Sequence, residues 1–384
     1  MIRITDKHEC CGCAACAQVC PAGCISMKPD GEGFWYPVVE ETSCIGCEAC
    51  DRVCPVMNAS ERGETVLRSV AAYVKDSELR EQSSSGGLFS LLADTVLDAN
   101  GVVYGAAFED DFSVAHRRVE SAEDLAALRG SKYLQSRTET TFRDVQEDLN
   151  QGRPVLFSGT ACQVSALKRF LGEDCDRLVT VDVLCHGVPS PGVWQAYLRE
   201  AEKKAGCPVK GVSFRSKTTG WKQFALRLEF EDGTVSETPF PQDPFMQLFL
   251  RNAILRPSCH ACPFKALERD SDLTLGDAWG VDQVFSNMDD DRGTSIALAH
   301  TEKGVELLES VASGMVWKAG DPDVLLPRAA DSRKSVQPHR NRDEILEAYD
   351  RGASIAALVK RTEPSFLRKV KRKLACFVLN KSVY

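Results

Sequence analysis

The chain reads Cys10-Cys11-Gly12-Cys13-Ala14-Ala15-Cys16-Ala17-Gln18-Val19-Cys20-Pro21 near its start, and Cys44-Ile45-Gly46-Cys47-Glu48-Ala49-Cys50-Asp51-Arg52-Val53-Cys54-Pro55 follows. Both stretches have the spacing C-x2-C-x2-C-x3-C and end in proline. That is the spacing that holds a pair of [4Fe–4S] clusters. A two-residue gap lets three successive sulfurs of one loop point inward. The fourth cysteine, marked by the proline, starts a new direction and serves the other cluster. Cys10, Cys13, Cys16 and Cys54 are therefore expected to hold one cluster, and Cys44, Cys47, Cys50 and Cys20 the second. Gly12 and Gly46 stand where close backbone approach and unusual dihedrals are needed. Ala14, Ala15, Ala17 and Ala49 are small enough for a crowded shell.

This two-cluster pattern of bacterial ferredoxins sets a small domain at residues 1–57. Zinc sites also use C-x2-C pairs but do not require crossed, proline-terminated runs. A disulfide framework suits a secreted chain, and no secretory leader reads before Cys10. Cys11 and Cys24 lie off the pattern, Cys11 as a bystander and Cys24 as a small packing residue. The 384 residues leave a body large enough for one large or two ordinary domains. A net charge of −8 carries no nucleic-acid footprint. No apolar run approaches the ~18 residues of a membrane helix. Seventeen cysteines without a leader point to a reducing cytoplasm and to metal chemistry.

Asn58–Thr65 is polar and reads as a linker. Strands are expected at Val66–Val74, Val102–Phe108, Val114–Val119, Val155–Phe157, Leu178–Leu184, Val212–Phe214 and Phe224–Phe230, the last followed by an Asp232-Gly233 hairpin turn. Helices are expected at Leu88–Leu97, at Thr138–Asn150, after Ser158–Gln163 through Leu171, and at Pro191–Ala205. A short helix follows the Ser121 cap, with Asp124 three residues on. Alternating strands and helices make the body α/β or α+β with a mixed sheet.

Neither G-x-G-x-x-G nor a P-loop is present. Ser83-Ser84-Ser85-Gly86-Gly87 opens a helix, so it is either a phosphate cradle or an ordinary cap. Cys162 sits at a strand-to-helix turn and Cys185 ends the next strand. If those strands are parallel, both thiols lie at one end of neighbouring elements. Cys259-His260-Ala261-Cys262 adds a C-x2-C pair. The four offer a third metal centre; two core cysteines plus an incomplete zinc pair is the other reading, and spacing does not choose between them. Cys175, Cys207 and Cys376 read as ordinary cysteines.

From about Ala71 to Gly304 the body resembles the β-subunit family of coenzyme F420 hydrogenases and dehydrogenases. The resemblance rests on Gln82–Gly87, Arg129–Ser136, Phe157–Val164, Asp182–Ser190, Arg256–Cys262 and Leu275–Gly280. It implies FAD beside a [4Fe–4S] cluster in a domain at residues 66–320. It implies Cys162, Cys185, Cys259 and Cys262 as ligands, with Ser84, Ser85, Gly86, Gly87, Lys132, Gly159 and Thr160 lining the flavin site. Ala161 stands where the family often has proline, which loosens a turn and removes no ligand. Lys132 is expected to stabilise charge on reduced flavin, His186 to donate a proton, and Asp277 to serve as a further catalytic group.

Residues 321–384 are expected as a helical, basic tail. Leu367, Val370, Leu374, Phe377 and Val378 lie near helical spacing among Arg368, Lys369, Lys371, Arg372 and Lys373. Such a helix docks on a membrane surface or an acidic partner, or packs on the body with a solvated basic face. The expected function is an oxidoreductase passing electrons between ferredoxin or another redox protein and a small organic substrate or deazaflavin. The alternative is a non-catalytic electron-transfer subunit serving a separate enzyme.

Overall fold

The computed structural model describes residues 1–59, 66–326 and 333–363. In the head, the two cysteine stretches fold as near copies. Gly12 and Gly46 take φ of +70° and +69°, and Ala14 and Glu48 take +57° and +58°. A short helix follows each, Ala15–Val19 and Ala49–Val53, and ends at the fourth cysteine in extended backbone before proline. Between them β1 (Ile25–Pro29) and β2 (Trp35–Val39) pair antiparallel. The Asp30 carboxylate closes their turn by accepting from the N–H groups of Glu32 and Phe34.

The body carries β3 (Arg68–Val74), β4 (Val102–Phe108), β5 (Val114–Val119), β6 (Val155–Thr160) and β7 (Leu178–Val183). It continues with β8 (Val209–Ser216), β9 (Ala225–Phe230), β10 (Val235–Pro239), β11 (Leu273–Asp277), β12 (Ser295–Ala299) and β13 (Met315–Ala319). Eight of these form one mixed sheet in the order β13-β3-β12-β11-β7-β6-β4-β5. Strands β4, β6, β7 and β11 are its parallel centre. Parallel strands are covered on both faces, and alternate residues divide between them. Val103, Leu156 and Val181 pack with the helix Leu88–Asp98. Val102, Tyr104 and Phe157 pack on the other face, with the helices Thr141–Asn150 and Ala161–Leu171. A smaller antiparallel sheet, β10-β9-β8, packs with Pro191–Ala205, Pro244–Leu250, Arg342–Asp350 and Ile355–Thr362 around Trp194, Phe214 and Phe245.

Among the boundaries that differ from expectation, two have clear local reasons. Strand β6 continues to Thr160 because Ser158, Gly159 and Thr160 stay in register with Val181, Asp182 and Val183. The helix expected from Thr138 starts at Thr141, because the Thr138 hydroxyl donates to the Cys13 carbonyl at 2.7 Å and holds that stretch on the head. The Ser121 cap forms, with its hydroxyl accepting from the Asp124 N–H. The basic helix expected at 365–384, and Cys376 with it, lie outside the described residues. No described helix is long and apolar enough to cross a membrane.

Candidate functional site

The two head loops share a backbone but not surroundings. Loop 10–16 is seated on the body. Gln135 Nε2 donates to the carbonyls of Cys11 (3.2 Å) and Gly12 (3.3 Å), and Arg256 Nε donates to that of Cys10 (2.7 Å). Gln18 continues the seat by accepting from the Phe142 N–H at 2.8 Å. Loop 44–50 faces outward, with Ile45 69 % exposed and Cys47 exposed. Cys13, Cys16, Cys20, Cys50 and Cys54 are buried. Burial and the neighbouring thiols push the Cys16 thiol up to about 12. Cys24 is buried with its sulfur 3.4 Å from that of Cys20.

The parallel pairing of β6 with β7, Thr160 opposite Val183, brings Cys162 and Cys185 to one end of the sheet. Thr160 caps the helix that carries Cys162: its hydroxyl and backbone N–H engage Gln163 in a reciprocal capping box. The loop Pro257–Ala261 brings Cys259, whose sulfur accepts from the Val188 N–H at 3.4 Å, and Cys262 follows. All four cysteines line one pocket of about 50 Å³ together with Cys11. Burial pushes the Cys185 thiol up to about 12 and Cys262 to about 11, and Cys259 is raised for the same reason. A hydrogen bond with Cys11 raises Cys162. Four sulfurs converging on one buried pocket are a donor set that, once deprotonated, fits an iron–sulfur cluster.

Beside this pocket lies a cavity of about 760 Å³. Thr160, Cys185 and Gly187 line both. The cavity is bounded by the Ser84, Ser85 and Gly87 turn, by Lys132, by Gly159 and by His186 and Asp277. Gly86 stands behind the wall. Its N–H donates to Ser295 Oγ, and a β-carbon there would sit 2.5 Å from the Ala72 carbonyl. The Ser84 hydroxyl accepts from the Ser131 N–H and the Ser85 hydroxyl donates to the Thr294 carbonyl. The turn is thus shaped from within and forms part of the cavity wall.

Lys132 Nζ donates to the carbonyls of Ala127 (2.9 Å) and Arg129 (2.7 Å), while burial lowers its pKa to about 7. His186 Nε2 meets Asn252 Oδ1 at 2.7 Å. Asp277 pairs with Arg215 at 2.7 Å and accepts from Trp221 Nε1 at 3.3 Å. Arg215 also reaches the Tyr133 hydroxyl and the Ser84 carbonyl. Trp279 stacks on Trp221 at 4.2 Å.

Residues 69–142 match the family model for the N-terminal part of the coenzyme F420 hydrogenase/dehydrogenase beta subunit. Residues 152–324 match the model for its C-terminal part. The chain belongs to the coenzyme F420 hydrogenase/dehydrogenase beta-subunit family. It is therefore an iron–sulfur oxidoreductase of that family. Its residues 9–58 match the 4Fe-4S dicluster domain, which implies two [4Fe–4S] clusters in the head. A chain of the F420-reducing [NiFe] hydrogenase complex from Methanosarcina barkeri, in a xenon-derivatised structure, is 18% identical. The match covers 81% of this chain and 93% of that one, with a TM-score of 0.47. No curated protein matches the chain.

Three members of this beta-subunit architecture escaped the sequence reading. Cys11, set aside as a bystander, lies against Cys162 inside the four-thiol pocket. Arg215 and Arg256 are charged residues in buried positions, which one-dimensional patterning assigns to the surface. The signal available for Arg256 was its place directly before Pro257-Ser258-Cys259.

Proposed function

We propose that the chain is an iron–sulfur flavoprotein oxidoreductase that couples a one-electron redox protein, met at the head, to a small organic two-electron substrate in the body cavity. Cys10, Cys13, Cys16 and Cys54 hold one [4Fe–4S] cluster, and Cys44, Cys47, Cys50 and Cys20 the second. Cys162, Cys185, Cys259 and Cys262 hold a third, and FAD occupies the cavity beside Ser84–Gly87, Lys132, Gly159 and Thr160. Clusters handle single electrons, whereas a flavin takes one or two and exchanges hydride.

The observation that carries this reading is contiguity. Cys11 joins the seated head loop to the four-thiol pocket, and Thr160 and Cys185 belong to the walls of both that pocket and the cavity. The exposed loop at Ile45 and Cys47 offers a redox partner the only outward approach among the two head loops. Within the cavity, Lys132 presents an ammonium at the wall below about pH 7 and a neutral amine above it. His186, fixed by Asn252, presents an imidazole for proton transfer. Arg215 fixes Asp277 and the Ser84 carbonyl together, which holds the turn against the opposite wall. Deazaflavin is one substrate of suitable class, given the family.

Anaerobic purification with iron, sulfide and flavin analysis tests the proposal. Three clusters predict roughly twelve irons per chain, with one FAD. About eight irons and no flavin would leave a two-cluster electron carrier and remove the catalytic reading. Reduction of a small acceptor by the isolated chain separates an enzyme from a subunit that only feeds another.

A further inference from the structure

Five arginines are buried in the described structure: Arg80, Arg215, Arg256, Arg269 and Arg342. Four have a carboxylate partner. Arg80 pairs with Asp290 at 2.6 Å, Arg215 with Asp277 at 2.7 Å, Arg269 with Asp182 at 3.5 Å and Arg342 with Glu32 at 2.6 Å. Arg256 is the most buried of the five, at 0 % exposure. Among the described residues no carboxylate lies within 4.0 Å of it.

Its contacts are neutral, with one exception. Nε donates to the Cys10 carbonyl at 2.7 Å, Nη1 to Gln135 Oε1 at 3.0 Å and Nη2 to the Trp35 carbonyl at 3.0 Å. The guanidinium lies 4.3 Å from the Tyr36 ring centroid and 5.5 Å from that of Phe34. The exception is the Cys10 sulfur, 3.5 Å from Nη2. Carbonyls and rings satisfy hydrogen bonds but do not neutralise a cation, and a buried charge without a counter-charge is costly. Arginine cannot escape by losing its proton. The site therefore calls for an anion at Cys10, and a cluster held by four thiolates is one.

We infer that Arg256 is the counter-charge of the seated head cluster, the one that includes Cys10, and raises the reduction potential of that cluster selectively. The inference rests on the cluster assignment proposed above. Reduction adds one negative charge, which a cation in a low-dielectric setting stabilises more than it does the oxidised form. Hydrogen bonds to ligand sulfur act in the same direction. The outward cluster has the same loop backbone without this partner. At its cysteines the described hydrogen bonds include a backbone one, from the Ile2 N–H to the Cys50 sulfur at 3.3 Å, and no arginine donates there. The outward loop carries its own charges, Glu48, Asp51 and Arg52, with the Met1 ammonium paired to Asp51 at 2.7 Å, so what sets the seated site apart is a buried cation with no carboxylate partner, and it favours an electron leaving the outward cluster and settling on the seated one. The same residue accepts from the Cys259 N–H at 3.0 Å through its carbonyl, so it touches the loop of the body thiols as well.

The test is an EPR-monitored redox titration of the full anaerobic protein, with iron and sulfide counted in every sample. Arg256→Gln is expected to lower one head midpoint and leave the other in place. The moving midpoint should differ from the one that Cys47→Ser perturbs. Arg256→Lys, which keeps the charge, should stay closer to the wild type. Unchanged midpoints in Arg256→Gln with full iron would overturn the inference, as would movement of the outward cluster's midpoint. If Arg256→Gln loses head iron, retention of that iron by Arg256→Lys supports a counter-charge, and equal loss by both overturns it. Wild-type protein without head iron would instead defeat the cluster assignment itself.

Discussion

Gly12 and Gly46 form a matched pair for testing whether the seated loop is what joins head to body. Both take the left-handed conformation, at φ +70° and +69°. Alanine there costs about 1–2 kcal/mol of backbone strain at either position. The surroundings differ. A β-carbon at Gly46 meets nothing within 4 Å, whereas at Gly12 it comes to 2.4 Å from Gln135 Nε2 and 2.8 Å from Arg256 Nη1. Gly12→Ala therefore adds overpacking of about 1–3 kcal/mol. Displacing Gln135 and Arg256 also loosens hydrogen bonds of about 1 kcal/mol each. The expected totals are about 1–2 kcal/mol for Gly46→Ala and about 4–7 kcal/mol for Gly12→Ala. Heat or urea unfolding of the anaerobic protein, followed by visible cluster absorbance, reports the head's own transition, so no global two-state free energy is needed. The Gly12→Ala midpoint should fall well below that of Gly46→Ala. Equal losses in the two variants would refute the seating argument.

Cys259→Ala should remove about four of roughly twelve irons and leave the head clusters' EPR signals; unchanged iron would exclude Cys259 as a ligand. Asp277→Asn leaves the buried Arg215 without its carboxylate, which costs about 3 kcal/mol, the lower end for a broken buried pair because Asp277 is 18 % exposed. Differential scanning should show that loss, and Arg215→Met combined with Asp277→Leu should recover much of it; lost turnover at wild-type stability would instead mark Asp277 as a proton-transfer group. Burial lowers the Lys132 pKa to about 7, below its ordinary value of about 10.4. The unfolded chain then binds more protons between those values, so stability should rise with pH from about 7 to 10. Lys132→Met should flatten that rise in unfolding midpoints, and an unchanged slope would assign it to other groups.

The head was legible because cluster chemistry dictates spacing, and spacing is a one-dimensional property. The parallel centre of the body was legible for a similar reason: Val102–Phe108, Val155–Phe157 and Leu178–Leu184 are apolar runs of strand length. Residues 273–319 were harder. Strands β11 and β12 are short and broken by Gly276 and small residues, and the pairing of β12 with β3 closes across more than two hundred positions. The convergence of Cys162 and Cys185 could be stated only conditionally, since it depends on strand direction, which the sequence does not carry. Arg215 and Arg256 were illegible for a deeper reason. A charged residue is placed by its partners, and those partners come from elements distant in sequence.

That last point bears on how a duplicated cluster site becomes a directional one. The two cysteine stretches take nearly the same dihedrals, although the second carries Glu48, Asp51 and Arg52 where the first has Ala14, Ala17 and Gln18. The difference in burial is supplied from outside the repeat. Gln135, Thr138 and Arg256 close around loop 10–16, while loop 44–50 meets solvent at Ile45 and Cys47. A seat that buried both loops would leave a redox partner no access, and one that exposed both would sever contact with the Cys162 pocket. Asymmetric burial satisfies both demands, and it obliges the seated site to carry its own counter-charge because water is no longer there to stabilise added electrons. Arg256 meets that demand from the body side. The duplicated motif can therefore keep the same cysteine spacing at both sites while the body biases which site holds the electron.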